Sequence, residues 1–364
     1  MPQTPTPRNA DKIALNHVRI FDGTRLTEPS TVVIDGTVIG TDPAGARTID
    51  ADGAILLPGL IDAHVHLHGP ETLAALSSHG VTTALDMGTW PAELLASLRG
   101  AVGTTDIRSA GTPAIGEGGP HAKIPNIPRS AFVRNAQEAG EFVAGQVSAG
   151  ADYIKIVAEA PGQGGPDQAT MNALVTAART HGRKSVAHAT NSGAFAMALT
   201  AGIDFITHVP VDRPLTPEEI DSAFSQGRAV IPTLTMMEGT TAARGVPAAF
   251  ALASRNVAAL HRAGVPVLAG TDANTQPGVP FQVAHGASLH HELELLVDAG
   301  LSTAEVLRAA TSLPAQHFGL TDRGTIAPGL RADLVLVDGD PLTDIRTTRN
   351  ITRIWCGGTE HTPA

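Results

Sequence analysis

Asp62-Ala63-His64-Val65-His66 sets two imidazoles two residues apart at the end of an apolar run. In an extended strand, residues i and i+2 share a face, so His64 and His66 form a potential metal-ligand pair. Four more groups stand in similar places. Lys155 lies inside Tyr153-Ile154-Lys155-Ile156-Val157, His188 ends SVAH, His208 ends FITH, and Asp272 ends VLAGTD. Each is the first ionisable or coordinating group near the C-terminal end of an apolar stretch, so all six can converge on one site. Lys155 is the unusual member. Burial penalises an ammonium and drives its pKa down, and an ammonium cannot ligate a metal. A neutral amine that reacts with carbon dioxide becomes a carbamate, whose two oxygens can bridge two cations. An ion pair with a carboxylate such as Asp272 is the other reading of the same lysine.

These residues need elements that aim them at one place. A helical pattern, then a glycine, then a short apolar strand recurs at Gly80, Gly150, Gly182, Gly202, Gly227 and Gly264. Glycine suits the left-handed position just past a helix C-terminus. Nearly continuous apolar strands that alternate with helices indicate parallel βα units. Strands at Leu60–His66 and Asp106–Pro113 bring the count to eight. An open doubly wound sheet would show the same alternation. No glycine-rich dinucleotide turn follows the first strand, however, and polar groups gather at many strand ends, as at a barrel mouth. The chain ends differ in texture: KIALNHVRIF and TVVIDGTVIG alternate like antiparallel strands, with turns at Asp22-Gly23 and Asp35-Gly36. The predicted fold class is α/β: a (β/α)8 TIM barrel over residues 57–324, with a small β-sandwich domain built from 11–56 and 325–360. Residues 1–10 read as a disordered tail.

Composition narrows the partners. With 25 Lys and Arg against 35 Asp and Glu, the net charge is −10, and no basic run points to nucleic acid or an anionic membrane. Aromatics are 3%, too sparse for base stacking, and no apolar run is long enough to span a bilayer. The lone Cys356 cannot form an intrachain disulfide, and the N-terminus lacks a signal-peptide core, so a cytoplasmic protein with a small-molecule substrate is expected. Nothing in the sequence excludes a homo-oligomer.

In order along the chain, LLPGLIDAHVHL, ADYIKI, SVAHAT, FITHVP and LAGTDA resemble the amidohydrolase superfamily, as does the closing GTIAPGLRADLVLVDGDPLTDI. The texture is most similar to its imidazolonepropionase-like branch, which includes metal-dependent Xaa-Pro and Xaa-Arg dipeptidases and the ochratoxin-hydrolysing amidase. That resemblance implies two divalent metal ions, with zinc the default for His and carboxylate donors. It places His64, His66 and Asp272 at the more buried ion and His188 and His208 at the more exposed one, with N-carboxylated Lys155 bridging the binuclear centre. The implied chemistry is hydrolysis of an amide or peptide-like C–N bond in an N-acyl amino acid or dipeptide-like substrate. Two cations keep a shared water as hydroxide near neutral pH, and Asp272 serves as general base and then general acid. His121, in GEGGPHAK, resembles a glycine-rich loop histidine of this branch and is a candidate for oxyanion stabilisation or substrate binding. Two other readings stand beside this one: a mononuclear deaminase or cyclic-amide or lactone hydrolase without the bridge, and a non-catalytic scaffold.

Weaker signals surround the mouth. Trp90 and Met236-Met237 follow strands two and seven and are candidate pocket residues, although both types serve packing more often. Lys123, Arg129 and Arg244 read as solvated charges, His285, His290 and His291 as packing or surface residues, and Tyr153 as core. The segment after His66 is shorter than relatives commonly carry, which leaves substrate choice open.

Overall fold

The computed structural model describes residues 12–276, 279 and 281–364. The expected tail, residues 1–10, lies outside the described residues. Three parallel strands, Leu60–Val65, Val81–Asp86 and Asp106–Ser109, pair in chain order. Four more, Ile154–Val157, Ser185–His188, Phe205–Thr207 and Ala229–Ile231, form a second parallel sheet, also in chain order. Parallel bridges extend the pairing beyond these sheets: Ala114 with Ile156, Val230 with Val267, and Val65 with Ala273. Two backbone bonds, Ala63 N to Ala269 O at 2.9 Å and Asp272 N to His64 O at 2.8 Å, tie the first strand to the segment around Asp272.

Alternation along these strands sorts their side chains into two layers. Ile154 and Ile156 join the large apolar cluster with the helices, whereas Tyr153 joins an inner cluster with Leu85, Val186, Phe205, Ile231 and Leu268. Leu313, Ala315, Phe318 and Leu320, from helix Ser312–Phe318 and the turn after it, pack on the inner cluster, with the Phe318 ring stacked on Phe205 at 4.3 Å. The six junction glycines all have positive φ, between 63° and 91°, as their place after each helix requires.

The first strand is less regular than its sequence suggests. It ends at Val65, and its register with the next strand slips between Asp62 and Val65. Without a slip, Ile61, Ala63 and Val65 would share one face. Instead Ile61 and Ala63 enter the inner cluster, Val65 enters the outer one, and His64 and His66 meet Asp272. Irregularities of this kind re-aim side chains beside functional sites. The third strand is also shorter than expected, ending at Ser109, before Gly111 (φ 63°) and Pro113.

Both chain ends build a third, eight-stranded sheet. Its order runs Thr359–His361, Ile351–Cys356, Leu334–Val337, Ile55–Pro58, Ile13–Ile20, Ser30–Asp35 and Val38–Gly40, with Arg47–Asp50 paired to Ile13–Ile20. Ile13, Leu15, Val32, Ile34, Leu334 and Trp355 lie in its own apolar cluster. Among the described residues, no helix is long and apolar enough to cross a membrane.

Candidate metal centre

Ligand atoms of His64, His208 and Asp272 all lie within 4.8 Å of one another. Asp272 Oδ1 is 3.2 Å from His64 Nε2 and 3.1 Å from His66 Nε2, so one carboxylate oxygen faces both imidazoles of the first strand. His188 joins through His208, with ring centroids 4.4 Å apart, and His121 stands edge-on to His188 at 4.6 Å. Residues from strands far apart in the chain thus meet at one end of the parallel sheets.

The other ring nitrogen of three imidazoles is already engaged. His64 Nδ1 lies 2.5 Å from Thr207 Oγ1, whose hydroxyl donates to Ile231 O at 3.2 Å. His66 Nδ1 donates to Gly88 O at 3.1 Å, and His208 Nδ1 lies 2.7 Å from Thr233 Oγ1. Partners on Nδ1 fix ring orientation, as expected around metal-binding imidazoles. In His64 and His66 they leave Nε2 facing Asp272.

Backbone strain collects here too. His208, Thr233 and Asp272 have φ of 66°, 49° and 58°, in the left-handed region that non-glycine residues seldom occupy. His208 directly follows the strand Phe205–Thr207 and joins Asp272 in the ligand group, while Thr233, just past the strand Ala229–Ile231, bonds His208. Conformations of this kind cost about 1–3 kcal/mol each and persist only where the surroundings hold them. Part of that hold is visible. The buried Glu292 carboxylate accepts from Leu234 N at 2.9 Å and Thr235 N at 2.7 Å, fastening the helix that starts after Thr233. Buried Asp62 accepts from Thr271 Oγ1 at 2.7 Å and Thr271 N at 3.0 Å, beside Asp272.

Electrostatics favours the ligand forms of His64, His188, His208 and Asp272, but not of His66. Burial, with the Lys155 charge, pulls His64 down to about 3, and burial holds His188 and His208 well below the usual imidazole range. Burial acts against His66 as well, but Asp272 and Asp86 outweigh it and raise its pKa. Burial would likewise raise Asp272, yet the two first-strand imidazoles hold it well below the carboxylate range. Lys155 is buried, and burial pushes its ammonium down to about 7 against the pull of Asp272 and Asp86. Among the described residues, no carboxylate oxygen lies within 4.0 Å of its Nζ, so the ion pair with Asp272 is not formed.

Four imidazoles, a carboxylate and a lysine inclined to shed its proton are a donor set that fits divalent cations. Trp90 borders the set: a Cβ at Gly88 would lie 3.5 Å from its ring and 3.6 Å from His66. Met236 lies in the first turn of the helix Leu234–Ala243, which starts after Thr233. It is buried in the large apolar cluster, and its sulfur accepts from Thr240 Oγ1 at 3.1 Å. Lys123, Arg129 and Arg244 are exposed. His285 is closer to the centre than its sequence position suggests, donating from Nε2 to His66 O at 2.7 Å. His290 does pack, between Thr348 Oγ1 at 3.0 Å and His79 O at 3.1 Å. His68 escapes a reading that stops at the first two histidines, although the spacing HVHLH continues to it. Its ring meets His285 at 5.7 Å.

The amidohydrolase family model matches residues 55–360. The chain belongs to the amidohydrolase family. It is a hydrolytic enzyme acting on carbon–nitrogen bonds. Among curated relatives, an uncharacterised protein of Mycobacterium tuberculosis is 28% identical over 94% of each chain. An adenine deaminase of Methanoregula boonei is 28% identical over 90% of this chain but only 56% of its own length. Among solved structures, a Xaa-Pro dipeptidase with methionine in its active site aligns over 96% of this chain and all of its own. Its TM-score is 0.83 at 22% identity. The Aspergillus niger ochratoxinase (A. niger) aligns over 97% and 96%, with TM-score 0.80 at 18% identity. At such identities these two structures establish a shared fold of TIM-barrel type.

Proposed function

We propose that this amidohydrolase is a binuclear metal-dependent enzyme that hydrolyses an amide or peptide-like bond in an N-acyl amino acid or dipeptide-like substrate. The two parallel sheets and their bridges are read as one (β/α)8 barrel over 57–324. The mixed sheet of both chain ends is read as a β-sandwich domain over 11–56 and 325–360. One observation carries the functional reading: buried Lys155, with no carboxylate oxygen within 4.0 Å of its Nζ among the described residues, is close enough to His64, His188, His208 and Asp272 to act on them electrostatically. His64, His66 and Asp272 would hold one divalent ion, His188 and His208 the other, and Lys155 as its carbamate would bridge them, with zinc the proposed metal. Such ions, when bound, acidify water and polarise the scissile carbonyl.

The chain's own residues do the rest. Thr207, Thr233 and the Gly88 carbonyl fix three imidazole rings, so the donor set is oriented before any ligand arrives. Asp272, held ionised by His64 and His66, takes up a proton from the attacking water at its carboxylate and returns it to the leaving amine. His121 faces the same side as His188 and is placed to stabilise the oxyanion or bind the substrate. Trp90 offers an apolar edge for a side chain.

A deaminase on the same fold is the second reading, favoured by the adenine deaminase relative. Lys155 separates the two, because a mononuclear deaminase does not need a bridge. The test is a hydrolysis screen of N-acyl amino acids, dipeptides, cyclic amides, lactones and aminopurines. It uses protein reconstituted with zinc and bicarbonate, with Asp272→Asn as the blank. Turnover of amides or dipeptides supports the proposal; ammonia release from aminopurines alone overturns it.

A further inference from the structure

Two glycine-rich loops interlock beside the centre. Gly116-Glu117-Gly118-Gly119 follows the third strand, and Gly162-Gln163-Gly164-Gly165 follows the fourth. Gly118 N donates to Gly164 O at 3.2 Å. A Cβ at Gly164, where φ is 86°, would stand 2.1 Å from the Gly118 carbonyl carbon, and one at Gly116 would stand 2.2 Å from Gly164 O. Backbone fills the space on both sides, so neither position admits a side chain.

The same contact encloses Glu159, at the end of the fourth strand's run. A Cβ at Gly165 would lie 2.9 Å from Glu159 Cβ, and one at Gly119 would touch its Cγ at 3.4 Å. Glu159 is only 7% exposed, and its Oε1 accepts from His121 Nδ1 at 3.1 Å. His121 itself sits on the four-residue 3-10 turn Pro120–Lys123, and its ring meets His188 edge-on.

We propose that Glu159 is a positioning residue that fixes His121 over the centre, and that the glycine interlock exists to bring the two together. This rests on the reading of the site as a hydrolytic metal centre. With Nδ1–H committed to the carboxylate, the imidazole is held in one rotamer and one tautomer, and Nε2 on the opposite ring edge is left for a substrate group. The loops then act as a fixed frame for a catalytic side chain.

The test compares kcat, KM and metal content of the full, zinc-reconstituted chain, using its fastest substrate from the amide and dipeptide panel. Glu159→Ala is expected to lower kcat about 10–100-fold with metal content unchanged, the usual cost of losing a group that orients an active side chain. Glu159→Gln, which keeps an acceptor oxygen, should recover most of that loss, and Gly164→Ala should lower kcat as Glu159→Ala does. The decisive arm is the double variant Glu159→Ala/His121→Asn, expected to be no slower than His121→Asn alone. Parental kcat in Glu159→Ala, additive losses in the double variant, or loss of metal from Glu159→Ala would each overturn the positioning role. Absence of metal-dependent turnover in the parent chain would instead overturn the proposed function, so the two failures are told apart.

Discussion

Arg323 and Lys155 are both long cations whose side chains are almost fully buried, and the molecule treats them in opposite ways. Arg323 lies at the start of the strand Asp106–Ser109, at the far end of the sheets from the centre. Its guanidinium is 2.7 Å from Asp106, 2.8 Å from Asp322 and 3.9 Å from Asp333, and it donates to Thr83 Oγ1 at 2.9 Å. Those carboxylates outweigh burial and raise its pKa, so the charge is kept. Among the described residues Lys155 has no carboxylate oxygen within 4.0 Å, and burial pushes it to about 7 against the more distant pull of Asp272 and Asp86. A buried charge matched by carboxylates holds structure together. One left without a counter-ion costs stability unless it changes its chemistry. The contrast separates an end of the parallel sheets where charge is kept for the fold from the end where the proposed chemistry would need it lost.

The largest effect that can break this contrast is on turnover. Asp272→Asn keeps the shape of the side chain but cannot take a proton, so kcat should fall by about 10³-fold or more, at the upper end of general acid–base effects. Steady-state kinetics against the best substrate of the panel checks this. A fall of tenfold or less would place the proton transfer elsewhere.

Next comes the direct exchange of the two cations for methionine. Arg323→Met removes one partner each from Asp106, Asp322 and Asp333, leaving Arg108 on Asp106 and Arg331 on Asp333. It should destabilise the chain by about 3 kcal/mol, the cost of losing charge-assisted bonds to part-buried carboxylates. Activity per folded molecule should be kept. Lys155→Met should do the reverse: metal-dependent activity falls by about 100-fold, as for loss of an activated group, while the metal-free protein is as stable as its parent or more so. Urea unfolding of the metal-free proteins, with activity assays on the reconstituted ones, reads both. Equal behaviour of the two variants would dissolve the comparison.

A buried imidazole outside the centre gives a third, smaller signal. Burial pulls His290 down to about 4 from its ordinary 6.5. The unfolded chain therefore binds the proton first as pH falls, so stability is full above about 6.5 and is lost through the window down to about 4. The loss approaches about 3 kcal/mol for this residue, from the pKa difference at roughly 1.4 kcal/mol per unit. Denaturant midpoints across that window should flatten in His290→Gln. An unchanged slope would assign the acid sensitivity to other groups.

Smallest is the partner threonine. Thr207→Val removes the hydroxyl against His64 Nδ1 with little change of shape and should weaken metal binding about 10-fold. Competition with a chelator measures it, and an affinity equal to the parent's would mean that packing alone orients the ring.

Much of this was legible in the chain itself. Junction glycines mark where helices end, because only a residue without Cβ turns there freely, and apolar strands announce their ends through the first ionisable group. What the sequence hides depends on distant partners. The register slip at Asp62 and the positive φ at His208, Thr233 and Asp272 are set by neighbours from other strands. Glu292 fastens Leu234 from 58 residues away, and Glu159 meets His121 across 38. Thr207 stands directly before His208 and could have been noticed, but its bond is to His64, 143 residues earlier.

Metal content is the most direct test of the central claim that Lys155 is reserved for bridging two ions. The parent chain and Lys155→Met are each reconstituted with zinc and bicarbonate, freed of excess metal and analysed by elemental mass spectrometry. About two ions per chain in the parent and about one or fewer in the variant are expected for a bridged binuclear site. Equal metal content in the two proteins, with activity retained by the variant, would contradict it.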